Sequence, residues 1–159
     1  MDGVNAYGLG FKGRPLGYCL MDAAKPLKYC RSKKRNKMNS FRKLDAYIYA
    51  KDLVKQVYAL IKKFPKEEQY ALCDQLRRAV ISIPSNIAEG SGRTTPKDQA
   101  HFYTMAFGSL MEVLAQLDVA CELEYLSKIE FENIELLINK EAKILSGLVA
   151  KRNSLNTKQ

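Results

Sequence analysis

From Arg42 onward, apolar side chains recur at spacings of three and four, the period of one face of an α-helix. Ala46, Tyr47, Ala50, Leu53, Val54, Val57, Leu60, Ile61 and Phe64 share one face, while Lys51, Asp52, Lys55, Lys62 and Lys63 take the other. The pattern predicts a first helix over Arg42–Phe64, ended by Pro65, because proline disfavours helical geometry in the residue before it. A second helix is predicted over Lys66–Glu89, with Glu67 and Glu68 in its first turn, where the helix dipole favours negative charge. Its stripe is Leu72, Cys73, Leu76, Ala79, Val80, Ile83 and Ile87. Pro84 removes one backbone hydrogen bond, but the stripe continues in phase, so a kink is expected there, with termination at Gly90 and Gly92.

Thr95 is a suitable N-cap for a third helix over Pro96–Leu123, with proline at its first position and Asp98 in the first turn. Ser127 and Glu130 form a capping box for a fourth helix over Lys128–Asn153, with Leu126 and Phe131 as a hydrophobic staple. The stripe of the fourth helix is Phe131, Ile134, Leu137, Ile138, Leu145, Leu148 and Val149. Connections of a few residues force each helix antiparallel to the one before. The expected fold is therefore all-α, an up-down-up-down four-helix bundle over residues 41–153 with a short tail, 154–159. The third helix departs from this economy. Between Phe102 and Cys121 its strong charges are only Glu112 and Asp118, and apolar residues cover most of its circumference. A helix apolar nearly all round implies a second buried face. Phe107, Leu110, Met111 and Leu114 are accordingly the candidate residues for self-association.

Composition changes the picture mainly at the N-terminus. Residues 1–40 show no sustained period and are glycine-rich, which reads as a disordered extension. They hold nine basic and two acidic side chains, a net charge of +7 out of the chain's +9. Two readings stay open: a nucleic-acid-binding arm, or a non-native extension with the true start at Met38. The remaining residues are close to neutral, at +2. Within them residues 41–97 carry +5 (eleven basic, six acidic) and residues 98–159 carry −3 (six basic, nine acidic). Such opposite-signed halves can pair between subunits. The four cysteines, Cys19, Cys30, Cys73 and Cys121, form no C-x-x-C pair, and His101 is the only histidine, so no metal site is expected. No cofactor loop is visible either. Lacking an obvious apolar leader or membrane span, the chain is expected in the cytoplasm, without a membrane partner.

The segment QLRRAVISIPSNIAEGSGR, from Gln75 to Arg93, closely resembles the signature of the four-helix bundle family of 23S rRNA intervening-sequence proteins. The resemblance extends to Phe64-Pro-Lys-Glu-Glu before the second helix and to Phe102, Ala106, Gly108, Ser109 and Glu112 in the third. It covers about Phe41 to Leu148. It implies a small helical bundle assembled as a homopentameric ring, with no established enzymatic activity. It also implies kinship with the accessory variability determinant proteins of diversity-generating retroelements, which bind reverse transcriptase and nucleic acid. Some members of the family are encoded within 23S rRNA genes.

The motif residues to weigh are Arg78, Ser82, Pro84, Asn86, Glu89 and Gly90. Arg78, Ser82, Ser85 and Glu89 fall on one polar stripe. As a recognition surface, Arg77, Arg78 and Arg93, joined by Lys51, Lys55, Lys62 and Lys63, would meet phosphates of RNA, DNA or a nucleoprotein such as a reverse transcriptase. As a structural device, Ser and Asn would satisfy backbone groups freed at Pro84, and Glu89 would pair with an arginine. Glu89-Gly-Ser-Gly-Arg93 is no phosphate-binding P-loop, since it follows a helix and lacks the Gly-Lys-Ser/Thr ending. No nucleophile–base pair stands out, and the Glu-x-x-His spacing of di-metal bundles is absent, so no catalytic residue is assigned. The expected protein is a non-enzymatic homo-oligomeric scaffold that binds nucleic acid through its first two helices. The alternative is an accessory protein-interaction module without nucleic-acid affinity.

Overall fold

A computed structural model describes residues 37–157. The expected basic extension lies outside the described residues as far as residue 36. Residues 37–40, placed with it by pattern, belong to a 3₁₀ helix, Lys37–Lys43. Four α-helices follow: α1 (Asp45–Ile61), α2 (Leu72–Gly92), α3 (Pro96–Glu122) and α4 (Lys128–Asn156). No strand occurs among the described residues. Each helix packs on two neighbours, α1 and α3 each lying between α2 and α4, while the backbones of the diagonal pairs α1/α3 and α2/α4 stay apart. This is the expected bundle.

The caps of α3 and α4 form as the sequence predicts. Thr95 Oγ1 accepts from Asp98 N at 3.1 Å. At Ser127 both arms of the capping box are present. The entry to α2 differs from expectation. Lys66–Tyr70 winds as a 3₁₀ helix, and α2 starts only at Leu72. Glu68 therefore serves as a cap rather than as a first-turn charge: its Oε2 accepts from Leu72 N at 3.3 Å. Its Oε1 accepts from Tyr125 Oη at 3.2 Å, tying the α1–α2 connection to the α3–α4 connection.

The exit from α2 also differs. The helix runs through Gly90 to Gly92, and no described glycine adopts positive φ. Gly90 is buried for another reason: a Cβ there would lie 2.9 Å from both Phe102 Cβ and Tyr103 Cε1. Glycine lets α2 and α3 approach closely at this point. Gly108 of α3, one of the residues that carry the family resemblance, faces open space. The left-handed conformation occurs instead at Glu124 (φ 59°), where Tyr125 N donates to Ala120 O at 2.9 Å and closes the end of α3.

Inward positions keep the helical period. Leu53 and Val57 of α1, Leu76, Val80, Ile83 and Ile87 of α2, and Leu110, Val113 and Leu117 of α3 meet Ile134, Ile138 and Leu145 of α4 in one core. The stripe of α4 includes one residue that the pattern omitted. Glu141 lies between Ile138 and Leu145 and is 1% exposed.

Candidate nucleic-acid and assembly surfaces

The signature segment of α2 divides between two sides of the helix. On the α3 side, Asn86 Nδ2 donates to the carbonyl and hydroxyl oxygens of Ser82, both at 2.9 Å. Ser109 Oγ of α3 reaches Ser82 Oγ at 2.9 Å, making a polar bridge across the helix pair. On the other side of the helix, toward α1, Ser85 Oγ donates to Ile81 O at 2.8 Å. Proline at position 84 supplies no N–H to the turn before it. Asn86 and Ser85 bring side-chain donors to the Ile81 and Ser82 carbonyls in that turn. The carbonyl that Pro84 leaves without its i−4 donor is that of Val80, so these side-chain bonds reinforce the adjacent turn rather than replace the missing bond. Glu89 makes an ion pair with Arg93, whose guanidinium carbon sits 4.4 Å from the centre of the Phe102 ring.

On the opposite side, Ile81, Pro84 and Ala88 form one wall of a groove of about 490 Å³ whose other wall is Tyr47 and Val54 of α1. Phe41 also lines the groove, packed edge-on to Tyr47 at 4.8 Å. Lys51 and Lys55 line it as well; Lys51 Nζ lies 5.3 Å from the centre of the Tyr47 ring.

The seven candidate cations do not form one patch. Lys51 and Lys55 belong to the groove. Lys62 and Lys63 stand at the C-terminal end of α1, and Arg77 of α2 donates from Nη1 to Gln69 O in the α1–α2 connection at 3.2 Å. Arg78 is exposed and pairs with Asp74 at 2.9 Å, and Arg93 lies at the far end of α2. Lys63 Nζ lies 2.6 Å from Glu130 Oε1. That contact, with two bonds from Ser127, holds the Glu130 carboxyl down at about 2. Exposed pairs of this kind are weak, so a phosphate can displace them at little cost.

The candidate self-association residues also separate. Leu110 is fully buried in the core of its own chain and has no surface to offer a partner. Phe107, Met111 and Leu114 are half-buried and pack against that core. Phe107 lines one shallow cleft between α3 and α4, and Met111 and Leu114 line another. Much of the surplus on α3 is spent inside the subunit, because α3 packs on both α2 and α4. Met105 and Val119 remain outward, at 45% and 51% exposure. By length and composition alone α3 reaches the threshold for a membrane-crossing helix, although Tyr103, Leu110, Val113 and Leu117 lie in the bundle core.

Sequence reasoning missed the most exposed apolar side chains of α4, Ile129 at 72% and Leu136 at 70%. They stand seven residues apart on its outer face, and this spacing was available as a signal. It also missed Glu141. Both carboxyl oxygens of Glu141 are buried with no hydrogen-bond partner among the described residues, and burial pushes the carboxyl up to about 8. Among those residues no three His, Cys, Asp or Glu side chains converge as a metal-binding group.

A search of curated proteins finds no match to the chain. A family model does match, over residues 42–147, which take in all of α1, α2 and α3 and most of α4, and on this evidence the chain belongs to the 23S rRNA-intervening sequence protein family.

Proposed function

We propose that the protein is a non-enzymatic, cytoplasmic, homo-oligomeric scaffold that binds nucleic acid or a nucleoprotein through the basic surface of α1 and α2. The observation that carries this reading is the charge asymmetry of the bundle: eleven basic against six acidic side chains in residues 41–97, and the reverse excess beyond them. Lys62 and Lys63 are exposed at the end where Arg77 lies, and Arg78 is exposed on α2. A set of point charges without a shaped pocket suits phosphates, which are contacted for position rather than sequence. The ring of five implied by the sequence resemblance would repeat this surface around an assembly, and repetition raises avidity without new contacts.

Binding of RNA and DNA to the full chain, titrated with salt, tests the proposal. Affinity should fall steeply as salt rises, and Lys62→Ala with Arg78→Ala should reduce both affinity and slope. Absence of binding at low salt, where phosphate contacts are strongest, would reject it.

The second reading is an accessory module that binds a protein partner and has no nucleic-acid affinity. The intrachain ion pairs of Lys63, Arg78 and Arg93 favour it, since they occupy three of the seven candidate cations. A partner such as a reverse transcriptase, recovered from native cells by a form unable to bind polynucleotide, would support it.

A further inference from the structure

The outer face of α4 presents Ile129, Glu132 and Leu136 in sequence: apolar, acidic, apolar. All three are exposed. The α1 wall of the groove presents Tyr47, Lys51 and Val54: apolar, basic, apolar. On α4 the intervals are three and then four residues; on α1 they are four and then three. Two such helices laid antiparallel bring the like positions together. Ile129 falls opposite Val54, Glu132 opposite Lys51, and Leu136 opposite Tyr47. Seven residues span about 10.5 Å of helix on both sides, so the two apolar pairs stay in register. The α2 wall repeats the same interval, with Ile81 and Ala88 seven residues apart. Glu132 and Lys51 make no ion pair among the described residues.

From this we infer that the α1–α2 groove is filled by the outer face of α4 from a second copy of this chain, docked antiparallel to α1. The inference rests on the oligomeric reading above and gives it a specific contact. Ridge and groove are different patches of one subunit, because α4 lies diagonal to α2. The contact is therefore head-to-tail and repeats from subunit to subunit, closing a ring if the rotation allows. Burying Ile129 and Leu136 on a partner also removes from water the most exposed aliphatic side chains among the described residues. In this arrangement Lys51 contributes to assembly, leaving the cations at the α1–α2 turn for a polynucleotide.

Sedimentation of the full chain and four variants tests this contact. Lys51→Glu and Glu132→Lys each place like charges opposite one another, and each should weaken association about tenfold or more. The double variant restores an opposite pair and should return association to near the wild-type level. Leu136→Ser should weaken it without any charge change. All of these positions lie outside the core, and thermal melting checks that each variant is folded. Single variants that assemble like wild type, or a double variant weaker than either single, would overturn the pairing while leaving oligomerisation intact. A monomeric wild type would overturn the oligomeric reading and the pairing together. A Lys51→Glu form that assembles normally but loses polynucleotide would assign the groove to nucleic acid and overturn the pairing.

Discussion

The seam between α2 and α3 and the length of α4 handle burial in opposite ways. At the seam, Asn86 donates twice to Ser82, Ser109 meets Ser82 across the helix pair, and Gly90 gives up its side chain so that Tyr103 can pack against the backbone. On α4, Glu141 is buried without a partner, while Ile129 and Leu136 stand in water. Ser82, Asn86 and Ser109 at the seam are hydrogen-bonded and Gly90 is tightly packed, as expected of a contact that holds the fold together. On α4 a carboxyl occupies a core position and aliphatics occupy surface positions. Neither choice helps an isolated subunit fold.

Glu141 provides the largest test of that contrast. Its carboxyl ordinarily ionises near 4.5 and in the fold keeps its proton to about 8. Between those values the folded chain holds a proton that the unfolded chain has released. Stability is therefore greatest below about pH 4.5, as far as this group is concerned, and falls as pH rises through 8. The span is on the order of 4 kcal/mol. Glu141→Gln should flatten this slope, and chemical denaturation between pH 5 and 9 would measure it. A slope unchanged in the variant would mean that the carboxyl finds a partner in solution, and the contrast would collapse. Glu130, held at about 2 by Lys63 and Ser127, has its effect only at acid pH, where its protonation as pH falls removes stability.

Gly90 gives the next largest effect. Alanine there must displace Phe102 or Tyr103, an overpacking that costs about 1–3 kcal/mol. Against this, alanine gains up to about 1 kcal/mol of helix propensity over glycine. A net loss in thermal stability is expected, and a net gain would show that the seam is looser than its geometry. Gly108→Ala is the matched control. With no neighbour within 4 Å, it should be stabilising by about 0.5–1 kcal/mol. The smallest effect is expected at Glu124, whose left-handed backbone favours glycine; Glu124→Gly should raise stability by about 1 kcal/mol or less.

Much of the fold was legible in the chain. Thr95, Ser127 and Glu130 mark helix starts through local bonds that span three residues, and the structure places those bonds where the spacing puts them. The candidate surfaces were less legible. Leu110 reads as surplus on an apolar helix, yet it is core, because periodicity cannot say how many neighbours a helix will have. The apolar pattern passes over Glu141, since its type outweighs its phase, although its place between Ile138 and Leu145 is a core place. Gly90 reads as a helix stop because glycine usually is one. Only the approach of Phe102 and Tyr103 shows it to be a spacer.

The sequence by itself determined four helices, the caps of α3 and α4, their antiparallel order and the sign of charge on each half. These follow from interactions within one or two turns or within a short connection. The tertiary structure alone decided which helices are neighbours, and hence which glycine must be glycine, which acid loses its water, and which face of α4 is left uncovered. Those outcomes depend on atoms far apart in the chain, and their distances are set only when all four helices close on one core.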